Sequence, residues 1–267
     1  MDTRFWGPSG WKLLHTITFG YDSKNTKAKS AIKITFEMLP FVLPCKFCRA
    51  SLTEYMEKHP LDPALESKAT LTKWLWTIHN EVNKKLRDQN LTVAPDPPFQ
   101  KVQEIYEGLL SYGCSQTEFP GWDFLFSVAE LHPMSKTAKE SVPIVGAPDC
   151  DTVKTREERN RWNCMEQKER LVLYKKFWLA LGNSLPFPEW RKSWSKHSAP
   201  LGSEEALGSR AGTLKWLWRL RCKMEHDLKL LNRCKYSSLC KTLKTHRSGC
   251  SKSLKAKTCR KKRVSKA

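Results

Sequence analysis

The sequence predicts an all-α protein: a helical bundle at residues 1–114, a degenerate helical bundle at 115–235 and a basic, cysteine-containing flexible tail at 236–267. Three observations predict it. Apolar residues recur three and four positions apart in segment after segment. Pro, Gly, Asn and Asp cut those segments into pieces of helix length. No stretch alternates in the way a half-buried strand does. With 40% hydrophobic residues, 11 Trp and 11 Phe in 267 residues, the chain has enough apolar surface to build a sizeable core.

The first helix spans Phe5 to Gly20, with Trp11, Leu14, Ile17 and Thr18 at helical spacing and Pro8 near its start. The second runs from Ala28 to Leu43 on Ile32, Ile34, Phe36, Leu39 and Phe41, with Pro40 and Pro44 expected to close it. Cys48 to Lys58 makes a third, ended by His59-Pro60. A loop with Pro63 leads to the fourth, Thr70 to Arg87, whose apolar stripe is Trp74, Leu75, Ile78, Val82 and Leu86. Asp96-Pro97-Pro98 breaks the chain before a short fifth helix, Phe99 to Leu110.

The order then repeats. GWDFLFSVAELHP from Gly121 echoes GWKLLHTITFGYD from Gly10, and the segment ending at Phe187 echoes the helix ending in FVLPC. GTLKWLWRLRCKMEHDL from Gly212 echoes ATLTKWLWTIHNEVNKKL from Ala69, with one insertion difference. Three segments in the same order point to an internal duplication. Met134 to Thr155, with Pro143, Gly146 and Pro148, reads as the connecting loop.

The formal net charge is +20, from 47 Lys and Arg against 27 Asp and Glu, and no acidic residue follows Asp227. Such a one-signed segment favours polyanions, so weak contact with nucleic acid or acidic partners is expected through the tail. MDTRFWGPSGWKLLH has no cationic region followed by an apolar run, so no signal peptide is expected, and no stretch of ~18 apolar residues predicts a membrane span. Without a secretory signal, a C-x-x-C suggests redox chemistry or metal binding rather than stapling.

That motif is Cys45-Lys46-Phe47-Cys48, placed directly after Pro44 at the start of a helix. A thiol there meets the partial positive charge of the helix N-terminus, which favours its thiolate, and Lys46 and Arg49 add to the field. A reactive thiol with a partner three residues on is what thiol–disulfide exchange requires. Zinc would want a second C-x-x-C or a suitably spaced His pair, and His59 and Cys114 do not supply one. On the fourth helix His79, Asn80 and Asn83 share one side, and three polar groups on a Trp-rich helix suit a polar ligand inside a bundle. Trp11 and His15, four apart, offer a flat aromatic beside an imidazole, a surface for a planar heteroaromatic ring.

WKLLH at 11–15, PCKFCR at 44–49 and HNEVNKKL at 79–86, with Gly7 ahead of Trp11, together resemble the Erv/ALR family of FAD-linked sulfhydryl oxidases over about residues 4–114. The resemblance implies a helical bundle with FAD in its mouth. It implies cofactor contacts from Gly7, Trp11, His15, Cys48, His79, Asn80, Val82, Asn83, Lys85 and Tyr106. Cys45 and Cys48 would be catalytic, Cys48 against the flavin and Cys45 meeting the substrate thiol. The implied reaction oxidises dithiol protein substrates to disulfides and passes the electrons to molecular oxygen, giving hydrogen peroxide; no metal is implied. One departure concerns a C-x16-C staple of cellular members, for which Cys114 matches the second half and nothing near Phe99 matches the first. This simplification is similar to versions from large DNA viruses, which implies a viral protein in host cytoplasm or virions. The second bundle replaces the dithiol segment by Pro186-Phe187-Pro188-Glu189-Trp190 and His79-Asn80 by Arg221-Cys222. It resembles the redox-dead pseudo-domain of quiescin-type and baculoviral oxidases, so either a homodimer or an intrachain pseudodimer is expected. The competing reading is a basic helical zinc- or nucleic-acid-binding protein without redox activity.

Overall fold

The computed structural model describes residues 1–91, 94–114, 118–135, 142–198, 203–229 and 235–247. Among them the regular structure is helical, with no strand. Helix α1 (Thr3–Phe19) starts at Asp2, whose carboxylate accepts the Arg4 N–H at 3.0 Å. Helix α2 spans Thr26–Val42 and α3 spans Lys46–Lys58. After a 3-10 turn at Asp62–Glu66 comes α4 (Lys68–Asp88), opened by a Ser67/Thr70 capping box. Helix α5 (Phe99–Ser111) completes the first half.

Pro40 does not close α2; it lies inside the last turn, and the chain leaves the helix at Leu43, ahead of Pro44. The residue before a proline is pushed out of helical geometry, which places the break there. The carbonyls exposed by that break are taken up by side chains from both halves. Asn160 donates to the Pro40 carbonyl at 2.9 Å, Arg170 to that of Phe41 at 3.2 Å and Arg49 to that of Leu43 at 3.0 Å.

The second half contains α6 (Trp122–Glu130), α7 (Arg156–Trp162), α8 (Gln167–Ser184), α9 (Pro188–Ser198), α10 (Arg210–Asp227) and α11 (Tyr236–Arg247). Contacts of the first half recur in it, residue for residue. Trp74 on α4 donates to the His59 carbonyl at the end of α3; Trp216 on α10 donates to that of Ser198 at the end of α9. Phe36 meets Trp74 edge-on at 5.4 Å, and Trp178 meets Trp216 edge-on at 5.5 Å. Arg49 bonds the Leu43 carbonyl, and Arg191 bonds that of Leu185 at 2.7 Å.

Matching helices also pack on each other, α1 on α6 and α2 on α8. At the first contact a Cβ on Gly10 would stand 3.2 Å from the Phe124 ring, and one on Gly121 would stand 2.5 Å from Leu13. The two contacts are reciprocal, because Gly10 with Leu13 matches Gly121 with Phe124; this is the pattern of an isologous interface. One contiguous apolar core runs through both halves.

The tail expectation is corrected over residues 236–247, which form α11. Its composition is basic, but Leu239 (4% exposed) and Leu243 (1%) fall on one face with Tyr236, which packs on Trp218 as Phe99 packs on Trp76. The far end is held by His246 stacked on Phe5 at 4.3 Å and by Arg247 paired with the buried Glu130. Averaging charge over the whole tail hid a helix whose stability comes from tertiary contacts. The tail reading for 248–267 lies outside the described residues. The connecting loop also has structure: a 3-10 turn at Cys150–Thr152, and a Cys150–Cys164 disulfide that spacing alone did not reveal.

Truncating Leu243 to Ala removes a fully buried side chain of α11. Urea unfolding is expected to show a loss of about 2–4 kcal/mol, whereas a solvated tail would show none.

Candidate active site

Cys45 is the N-cap of α3 and Cys48 its third residue, so both sulfurs belong to the positive end of the helix. Pro44 ends the preceding segment, and the Arg49 N–H bonds the Cys45 carbonyl at 3.0 Å to start the helix there. Cys48 lies on the wall of a cavity of about 450 Å³. Gly7, Trp11 and Leu14 of α1 line it, with Ser51 and Leu52 of α3 and Trp74, His79, Val82, Asn83, Lys85 and Leu86 of α4. Phe124 reaches in from the second half. A mainly apolar, aromatic wall with a few convergent polar groups is the usual form of a cofactor site. A wider groove of about 890 Å³ between α2 and α8 holds none of the predicted site residues.

The polar end is a pair of histidines. His15 is 2% exposed, and its Nε2 lies 3.2 Å from Nδ1 of His79. Burial, with His79 adding to it, pushes the His15 pKa down to about 3; burial pushes His79 down to about 4 against the opposing charge of Asp96. Both imidazoles are therefore neutral at physiological pH. Trp11 stacks on His79 with ring centres 3.9 Å apart and planes within 10°. His15 Nδ1 is buried and has no protein hydrogen-bond partner.

The structure thus gathers Gly7, Trp11, Cys48, His79, Val82, Asn83 and Lys85 around one cavity, with His15 bonded to it through His79. It does not bring three others to the wall. Tyr106 stands behind His15, rings 5.0 Å apart, and burial lifts its hydroxyl to about 12. Asn80 is absent from the lining. Cys45, expected to meet incoming thiols, is only 5% exposed and off the cavity. Sequence reasoning missed Ser51, which accepts from the Lys85 ammonium at 2.7 Å, and Asp96, which accepts from the Asn83 amide at 2.8 Å. Asp96 had read only as part of a chain break. Cys114 is not in a disulfide; it lies near Trp190 and Glu189, and burial first, then Glu189, lifts its thiol to about 11.

The matching place in the second half is filled. Phe126 occupies the position of His15 and Trp190 that of Cys48, and both are fully buried. Arg221, at the position of His79, lies over Trp122 at 5.5 Å and pairs with Glu225 at 2.9 Å. Among the described residues no group of three His, Cys, Asp or Glu side chains is placed to hold a metal, and no helix is long and apolar enough to cross a membrane.

Fold and site together define a helical protein with a dithiol helix opening onto an aromatic cavity. Residues 8–107 match the Erv1 / Alr family. Over 85 residues the chain is 36% identical to the probable FAD-linked sulfhydryl oxidase R368 of Acanthamoeba polyphaga mimivirus, a match covering 31% of this chain and 59% of that protein. It is 26% identical over 120 residues to the putative FAD-linked sulfhydryl oxidase 096R of Invertebrate iridescent virus 3, covering 45% and 80% of the two. The mitochondrial FAD-linked sulfhydryl oxidase ERV1 of Saccharomyces cerevisiae is 33% identical over 82 residues, covering 30% and 42%. The chain thus spans about six tenths of the mimivirus relative and less than half of the yeast one. No solved structure matches it.

The neutral histidines give a pH signature. In the unfolded chain both take up protons near pH 6.5, while in the fold they resist to about 3 and 4. Below 6.5 the unfolded form binds more protons, so stability present at neutral pH is lost as pH falls from 6.5 toward 4. Thermal melting of the cofactor-free protein should fall across that window, and a His15→Gln/His79→Gln variant should show a flatter slope.

Proposed function

We propose that this protein is a flavin-linked thiol oxidase that makes disulfide bonds in dithiol protein substrates. The observation that carries this reading is Cys48 on the wall of the cavity formed with Trp11, His79 and Asn83. The residues present fit FAD: an aromatic wall for a ring system, the polar His79 and Asn83 on that wall, and Lys85 as a cation for phosphate. When bound, FAD takes the electron pair from the dithiol and delivers it to oxygen, giving hydrogen peroxide.

The protein's own part is thiol exchange and positioning. Starting from a Cys45–Cys48 disulfide, a substrate thiolate attacks Cys45; the new mixed disulfide forms as the old bond breaks, and Cys48 leaves as a thiolate. The second substrate thiolate attacks the sulfur of its own chain in that mixed disulfide. It releases the substrate disulfide and leaves Cys45 and Cys48 reduced, the two substrate protons having gone to solvent. The N-terminus of α3 stabilises each thiolate as it forms. Cys45 is covered, so a bulky dithiol reaches it only after local movement of its surroundings. Neutral His79, backed by neutral His15, would give a bound cofactor a polar but uncharged stretch of wall.

The recurring contacts support a second half that is a degenerate copy, packed through α6 and α8 on the surface of α1 and α2 as an intrachain pseudodimer. The two viral relatives support a viral protein working in host cytoplasm or virions, and the charge supports weak polyanion contact.

Purified protein is expected to carry the yellow absorption of a flavin. Cys48→Ser should keep that colour and lose oxygen consumption with a dithiol. Turnover equal to wild type in that variant would remove Cys48 from the mechanism, and a colourless wild type that stays colourless with added FAD would remove the oxidase reading.

A further inference from the structure

We propose that Asp96 is a positioning residue of the cofactor pocket: its carboxylate orients the Asn83 amide so that the amide oxygen is offered to a hydrogen-bond donor on the nucleotide half of the flavin cofactor. The inference rests on the flavin reading and deepens it.

Asn83 lies on the cavity wall one helical turn beyond His79. An amide has a donor end and an acceptor end, and which end faces a ligand depends on what binds the other. Here Asn83 Nδ2 lies 2.8 Å from Asp96 Oδ1. An ionised carboxylate accepts only, so the flipped amide, oxygen against oxygen, is excluded. Arg87 donates to the other oxygen of Asp96. That pairing, ahead of the Asn83 bond, holds the carboxyl below the usual range and keeps it charged. With one N–H held by Asp96, the Asn83 amide cannot turn its oxygen to that side, so the oxygen is left, beside the second N–H, for a donor such as an exocyclic amine or a ribose hydroxyl.

Asp96 is held in place independently of this bond. Trp76 of α4 donates its indole N–H to the Pro97 carbonyl at 3.0 Å, and Phe99 meets the Trp76 ring edge-on at 6.0 Å. The loop is therefore docked on α4 by its neighbours, and removing the carboxylate removes the orienting acceptor while leaving the loop attached.

The test is titration of cofactor-stripped protein with FAD, read by quenching of flavin fluorescence, for wild type, Asp96→Ala, Asn83→Ala and the double variant. Asp96→Ala should weaken FAD about tenfold, the scale of one charge-assisted contact. The double variant should bind no more weakly than Asn83→Ala alone, because Asp96 acts through Asn83. Unchanged affinity in Asp96→Ala, or losses that add in the double variant, would overturn the proposal. Should the wild type itself fail to bind FAD, the flavin reading falls and this inference with it, a result distinct from wild-type binding that Asp96→Ala leaves untouched.

Discussion

The corner between α2 and α3 is the constraint on which the site depends. A helix that stops at Leu43 leaves carbonyls without partners, and buried carbonyls without partners are costly. Arg49, Asn160 and Arg170 bond them, all three buried. Asn163, in left-handed geometry at φ 60°, accepts from Arg49 at 3.0 Å and ties the group together. Two of those anchors belong to α7 and α8. The orientation of the dithiol helix is therefore set by the second half as much as by the first, which explains why the halves share one core.

The recurring contacts separate what a bundle needs to fold from what a site needs to react. The Trp that caps the third helix, the Arg that caps the second and the Ser that opens the fourth are present in both halves. Those residues satisfy backbone groups, and losing them would cost stability. The groups that differ are those facing the cavity. Phe126 in place of His15 and Trp190 in place of Cys48 fill volume, and Arg221 with Glu225 places an internal ion pair over Trp122 where the first half has cavity wall. The two halves share these packing contacts, and the second half holds buried side chains where the first half has a cavity.

Much of this was legible in the sequence, because periodicity and punctuation are local. The starts and ends of α1 to α5 agree with the apolar stripes to within two or three residues, and the likeness of the Trp-rich helices anticipated α10. The cavity wall was legible where a residue type is unusual for a bundle, as with His79 and Asn83. What failed depended on partners distant in sequence. Nothing within 236–247 announces that Glu130 and Phe5 await its end. Asp96 sits between prolines and reads as a turn until Asn83 and Arg87 are seen beside it. Pro40 looks like a stop because the Asn160 and Arg170 side chains that support the turn around it are ~120 positions away.

The electrostatics of the cavity follow from helix direction as much as from charged side chains. The first turns of α1 and the N-terminal turn of α3 both meet it, through Thr3, Arg4 and Gly7 on one side and Cys48 on the other. Each helix start contributes partial positive charge over about one turn. Lys85 adds a full charge, held across the cavity by Ser51 on α3. The histidines between them are kept neutral by burial. A positive rim around an uncharged aromatic interior suits a molecule with an anionic end and a flat apolar end, and the same helix start that favours phosphate also favours the thiolate of Cys48. One arrangement of helix termini thus places positive potential both around the cavity and at Cys48, and it depends on the corner at Pro44.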